Sequence, residues 1–119
     1  MPMQIEFRDA RLKEQCETAK LAQKAWGAAA TRQLVKRLGQ LQASESLHVF
    51  AQIAPQTHPH PLENRKGHRG GQYALKIHGG LRLIFQPLNQ PEDYETPSGP
   101  DWRRITGIQV LEVKDYHDE

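Results

Sequence analysis

The run Tyr73-Ala74-Leu75-Lys76-Ile77, followed by His78-Gly79-Gly80 and then Leu81-Arg82-Leu83-Ile84-Phe85, limits the fold of this chain more than any other stretch. Two short apolar-rich runs on either side of a double glycine define a β-hairpin. Its register follows from side-chain chemistry. A two-residue Gly79-Gly80 turn sets His78 opposite Leu81 and brings Arg82 onto the face of Ile77, which mixes charge into the apolar side. A three-residue loop with glycine in the left-handed conformation avoids this. It pairs Ile77 with Leu81, Leu75 with Leu83 and Tyr73 with Phe85, and leaves Lys76 beside Arg82 on the other face. Like charges directly opposite one another cost stability unless an anion lies between them. The hairpin therefore points toward phosphate.

The remaining segments supply the rest of a sheet and a helical layer. Gln4-Ile5-Glu6-Phe7 alternates as a short strand, and Asp9 is a suitable helix cap. Leu12, Cys16 and Ala19, then Trp26, Ala30, Leu34, Leu38 and Leu41, recur at helical spacing and predict an amphipathic pair of helices, joined near Lys20 or at Gly27. Pro55, Pro59 and Pro61 make residues 44–62 a connecting loop. Residues 86–104, rich in Pro, Asn, Asp and Gly, read as a long exposed excursion. Residues 105–113 form the last strand, with Ile108 and Val110 on one side and Leu111 and Val113 on the other, as an interior strand requires. Helices segregated in sequence from a mainly antiparallel sheet define the α+β class.

A chain of 119 residues with 37% hydrophobic and 25% charged content is expected to form one domain, residues 1–119. No apolar run approaches a membrane span and no leader opens the chain, so the expectation is a cytoplasmic protein without a membrane partner. Cys16 has no cysteine to pair with and sits on the apolar side of a helix, where an inert buried thiol is expected. The net charge of +2 is too small to argue for nucleic acid. Its distribution is more informative. Arg65, Lys66, His68, Arg69, Lys76, His78 and Arg82 fall together without an acid among them, as a local basic surface suited to RNA phosphates.

Chemistry enters with the histidines. RNA is cut when its 2'-hydroxyl loses a proton and attacks the adjacent phosphorus, given a base, an acid and a cation. Histidine serves either proton role near neutral pH, and a carboxylate such as Asp115 biases one imidazole toward donation. His60 and His117 are the candidates for that pair. Arg82 offers a planar fork to phosphate, and Tyr116 a ring on which an exposed base can stack. Lys76, Arg65 and Lys66 extend the phosphate-binding set. A zinc site of His58, His60 and His117 lacks the cysteine or carboxylate that would complete a tetrahedron, so neither metal nor other cofactor is expected.

In these motifs the chain resembles the HigB-like, or plasmid-maintenance killer, toxins of the RelE/ParE superfamily. The matching residues are His60-Pro61-Leu62, Arg65-Lys66-Gly67, the Tyr73 to Phe85 hairpin, and Asp115-Tyr116-His117. The resemblance implies a RelE-like fold, with an N-terminal strand and two helices packed on a small sheet. It implies a ribosome-dependent mRNA endoribonuclease that inhibits translation and is neutralised by a helix-turn-helix antitoxin of the HigA-like kind. By position it makes His60, Asp115, Tyr116 and His117 catalytic and Arg82 a phosphate contact. Glu63 departs from the family, which often places lysine there, and the segments after Gly67 and Gln86 are longer. The alternative function is a non-catalytic binder of the same fold, either a gyrase poison or an inactive antitoxin-binding homologue.

Overall fold

The computed structural model describes residues 2–62 and 71–115. Strand β1 (Gln4–Phe7) leads into helix α1 (Ala10–Glu17), where the Asp9 carboxylate accepts the Leu12 backbone N–H at 2.8 Å. That bond satisfies one of the orphan donors of the first turn. Helix α1 ends at Thr18, which is extended, and α2 (Ala19–Trp26) ends at Gly27, whose φ of 90° suits a residue without a Cβ. Helix α3 (Ala28–Ala43) then buries Ala30, Thr31, Leu34, Arg37 and Leu41 along one stripe. The expected pair is thus three helices, because the chain breaks at both of the candidate joins and not at one.

The reading of residues 44–62 as a loop is corrected. Helix α4 (Leu47–Ile53) occupies its first half, with Ser46 Oγ accepting from the Val49 N–H at 3.3 Å and Leu47 and Phe50 fully buried. The prolines exclude helix only from residue 55 onward. Pro55 opens a 3-10 turn, Pro55–Thr57, at the position where a missing N–H costs nothing. His60, expected in the loop, lies in a short edge strand, β2 (His60–Pro61).

The main sheet adds β3 (Tyr73–His78), β4 (Leu81–Pro87) and, after a further segment, the last strand. Between β4 and that strand lie α5 (Pro91–Tyr94), the small hairpin of β5 (Glu95–Thr96) and β6 (Gly99–Pro100), and a 3-10 turn, Trp102–Arg104. Strand β7 (Gly107–Asp115) completes the order β1-β7-β4-β3-β2, in which β1 runs parallel to β7 and the other pairs are antiparallel. The α+β class and the interior place of the last strand hold.

Two bulges adjust the expected registers. Tyr73 pairs with Phe85, Leu75 with Leu83 and Lys76 with Arg82, as the chemistry demanded. At the tip, however, His78 pairs with Leu81 across the two-residue turn. Ile77 is the extra residue, and this bulge keeps it in the core at 6% exposure while Lys76 stays on the other face. In β7, Phe85 faces Val110 and Ile84 faces Glu112, so Leu111 is bulged out of the ladder. That extra residue moves Val113 to the side of Val110, opposite Leu83, where it packs against the core. The assignment of Val113 to the far side assumed strict alternation, which a bulge breaks.

The helix-side core joins Leu34, Leu41 and Phe50 to Leu75, Leu83, Phe85, Ile108 and Val110. Residues 86–104 contribute to it, which corrects their reading as an exposed excursion. Tyr94 is buried, Trp102 packs against the cluster, and its ring meets Tyr73 edge-on at 6.2 Å. Tyr73 also stacks on Phe85 at 5.6 Å, and burial pushes its phenol up to about 12. Cys16 is buried, and desolvation pushes its thiol up to about 11, as expected of an inert residue.

Candidate functional site

Residues that pair across a sheet share a face, so the register lays out the side opposite the helical core. Lys76 on β3, Arg82 on β4 and Lys114 on β7 stand in one row across three adjacent strands. Neighbours in such a row lie about 5 Å apart at their Cβ atoms, close enough for one phosphate to touch two cations. Beside the row, Ala74 and Ile84 form a small apolar centre, each 2% exposed. Farther along, the polarity changes. Gln86 Nε2 donates to Gln109 Oε1 at 2.9 Å, and Glu6 lies next to Gln109. Among the described residues Glu112, opposite Ile84, is the acid nearest the row on this face by register.

Arg82 is held in place by the hairpin it belongs to. Its Nη1 donates to the Gly79 carbonyl at 2.7 Å and to the Leu81 carbonyl at 3.2 Å, which folds the guanidinium over the turn. The turn carbonyls thereby offset part of the repulsion from Lys76. Nε and Nη2 make no hydrogen bond to described residues and retain donors suited to an oxyanion.

His60 reaches the same face from the sheet edge. It pairs with Ala74, two residues before Lys76. Its Nδ1 lies 2.8 Å from the His58 carbonyl oxygen and its ring is exposed. Asp115 does not join this group. It pairs with Leu81, which places it by register on the side of Leu83 and the helical core, whereas Lys114 faces with Arg82. Tyr116 and His117 lie outside the described residues, as do Arg65, Lys66 and Glu63. Among the described residues no three His, Cys, Asp or Glu side chains come together as a metal site.

Lys114 is the site residue that sequence reasoning missed. Its place in the row depends on the Leu111 bulge, which has no compositional signature. His58, a candidate zinc ligand by residue type, contributes a backbone carbonyl to the site.

With five helices among the described residues and a mainly antiparallel sheet, the chain has a mixed α+β fold, and that fold is similar to one already solved. One solved structure similar to the chain is a YoeB/ParE toxin from Agrobacterium tumefaciens. The two are similar with a TM-score of 0.51 at 12% identity, over 96% of this chain and 99% of that one. No protein-family model matches the chain. No curated protein matches it. No helix among the described residues is long and apolar enough to cross a membrane.

Proposed function

We propose that this chain is the toxin of a toxin–antitoxin pair, a HigB-like, single-domain cytoplasmic protein that cleaves mRNA on the ribosome and is held in check by a helix-turn-helix antitoxin of the HigA-like kind. The observation that carries the reading is the cationic row of Lys76, Arg82 and Lys114 on the face that His60 borders. Within it Lys76 and Arg82, like charges directly opposite one another, repel, and a phosphodiester between them relieves that repulsion.

In the proposed reaction His60 Nε2 takes the proton of a ribose 2'-hydroxyl. The 2'-oxygen then forms a bond to phosphorus, the bond from phosphorus to the 5'-oxygen breaks, and His117 supplies the proton that leaves with that oxygen. Arg82, with Lys76, Arg65 and Lys66, stabilises the negative charge that builds on the equatorial oxygens. Tyr116 stacks on an adjacent base, and Asp115, which the register turns to the other face, takes no part in the reaction. The fold likeness to a YoeB/ParE toxin supports the toxin part of this reading.

The test is cleavage of mRNA on programmed ribosomes by the wild type, Arg82→Ala, His60→Ala and His117→Ala. Wild-type cleavage that each variant loses supports the proposal. Equal cutting by all four proteins would sink it. Undiminished toxicity of the double histidine variant, accompanied by DNA damage, assigns the face to a gyrase-poisoning binder.

A further inference from the structure

A neutral imidazole carries its proton on one nitrogen, and the hydrogen bond of the other ring atom decides which. In His60 the Nδ1 contact at 2.8 Å is a backbone carbonyl oxygen, that of His58. A carbonyl only accepts. Nδ1 is therefore the protonated nitrogen, and Nε2 bears the lone pair.

The carbonyl reaches that point through an uncommon backbone. His58 has φ 45° and ψ 60°, and it is the one non-glycine residue with positive φ among the described residues. It also precedes Pro59, whose ring favours extended conformations in the residue before it. Such a conformation persists only where the surroundings over-determine it, and strain of this sort collects at functional sites. Here the supports are visible. The His58 N–H donates to the Pro55 carbonyl at 3.1 Å, closing the 3-10 turn, and the buried Thr57 hydroxyl donates to the Ala54 carbonyl at 2.7 Å. On the far side, His60 and Pro61 are held by pairing with Ala74 and Tyr73.

We propose that the left-handed turn at His58 is a positioning device that locks His60 in the Nδ1–H tautomer and so makes Nε2 the base of the site. Its catalytic meaning rests on the nuclease reading above, and its structural meaning does not. The device favours the reacting state as well. Once Nε2 has taken a proton the ring is a cation, and the bond from Nδ1–H to the His58 carbonyl becomes charge-assisted and shorter. An interaction that strengthens as the proton arrives lowers the barrier rather than only improving binding. The accepting oxygen belongs to the His58 backbone, so residue choice at this position acts on it through φ and ψ.

The experiment is nitrogen-15 NMR of the histidine rings in the full chain, at a pH where His60 is neutral, with the His60 signals identified by their loss in His60→Gln. The expected result is a protonated Nδ1 and a bare Nε2. A wild-type His60 protonated on Nε2 overturns the proposal, whatever the RNA assay gives. His58→Val, a β-branched residue ill suited to positive φ, is expected to yield mixed tautomers and to lower kcat about tenfold with little change in KM. His58→Gly is expected to restore the wild-type tautomer and rate. Glycine and valine variants with identical tautomers would also overturn it. The predicted tautomer in a wild-type protein that leaves RNA intact removes the nuclease reading and supports the positioning device, so the two failures are separable.

Discussion

Lys76 stands directly opposite Arg82 in the β3–β4 ladder, and Arg82 in turn stands opposite Lys114 in the β4–β7 ladder. The like charges of Lys76 and Arg82 oppose folding at such spacing and favour an anion, so the two properties are expected to separate on substitution of Lys76. Lys76→Gln should raise the urea midpoint slightly, by roughly 0.3 kcal/mol of stability. The same change should weaken RNA binding across sequences and reduce the slope of log affinity against log salt by about 1. A variant that lost stability and kept the wild-type salt slope would contradict this account of the row.

The Leu111 bulge makes an unusual deletion tolerable. Because Val110 faces Phe85 and Glu112 faces Ile84 already, removing Leu111 closes the ladder without changing any other pair. Thermal and urea denaturation of that deletion variant should give a cooperative fold with a loss of roughly 1–2 kcal/mol. Deleting Leu83, which pairs with Leu75 on one side and Val113 on the other, should abolish the cooperative transition.

Helix α4 depends on its cap. Ser46 is 6% exposed and its hydroxyl accepts the Val49 N–H, so Ser46→Ala should cost about 1 kcal/mol in urea denaturation, and Ser46→Asp should retain most of the stability. An alanine variant as stable as the wild type would mean that burial of Leu47 and Phe50 alone holds the helix.

Asp9 caps α1 as an anion. The Leu12 N–H, followed by the Arg8 guanidinium, lowers its carboxyl below the usual 3.8. A group depressed in the folded state contributes stability that is present above pH 3.8 and is lost as pH falls through the folded value. The difference in urea midpoint between the wild type and Asp9→Asn should therefore be constant from neutral pH to about pH 5 and shrink on further acidification. A constant difference down to pH 2 would remove the charge from the explanation.

Local signals made some of this structure readable from the chain itself. The hairpin is the plainest case: its charges and apolar residues sort onto opposite faces in one register, and the structure keeps that register by bulging Ile77 at the turn. Helix α4 had its cap and its Leu47 and Phe50 spacing in view, but prolines that begin only at residue 55 governed the reading of the whole segment. The Leu111 bulge is different in kind. An extra residue in a strand has the composition of a strand, so the face of Val113 and the partnership of Lys114 with Arg82 emerge only from three-dimensional pairing. His60 was recognisable as a residue with chemistry, while the carbonyl that selects its tautomer comes from backbone dihedrals that no side-chain pattern encodes.

Strand β7 joins parts of the chain that are made far apart in time. On one flank it holds β1, with Gln4 beside Gly107, and on the other it holds β4. A nascent chain that has already exposed β1 and the β3–β4 hairpin has two pieces of sheet with nothing between them, and contacts of such sequence separation form late. The third cation of the row arrives with that same strand. Assembly of the sheet and assembly of its charged face are thus a single event, and a chain arrested before residue 107 has neither.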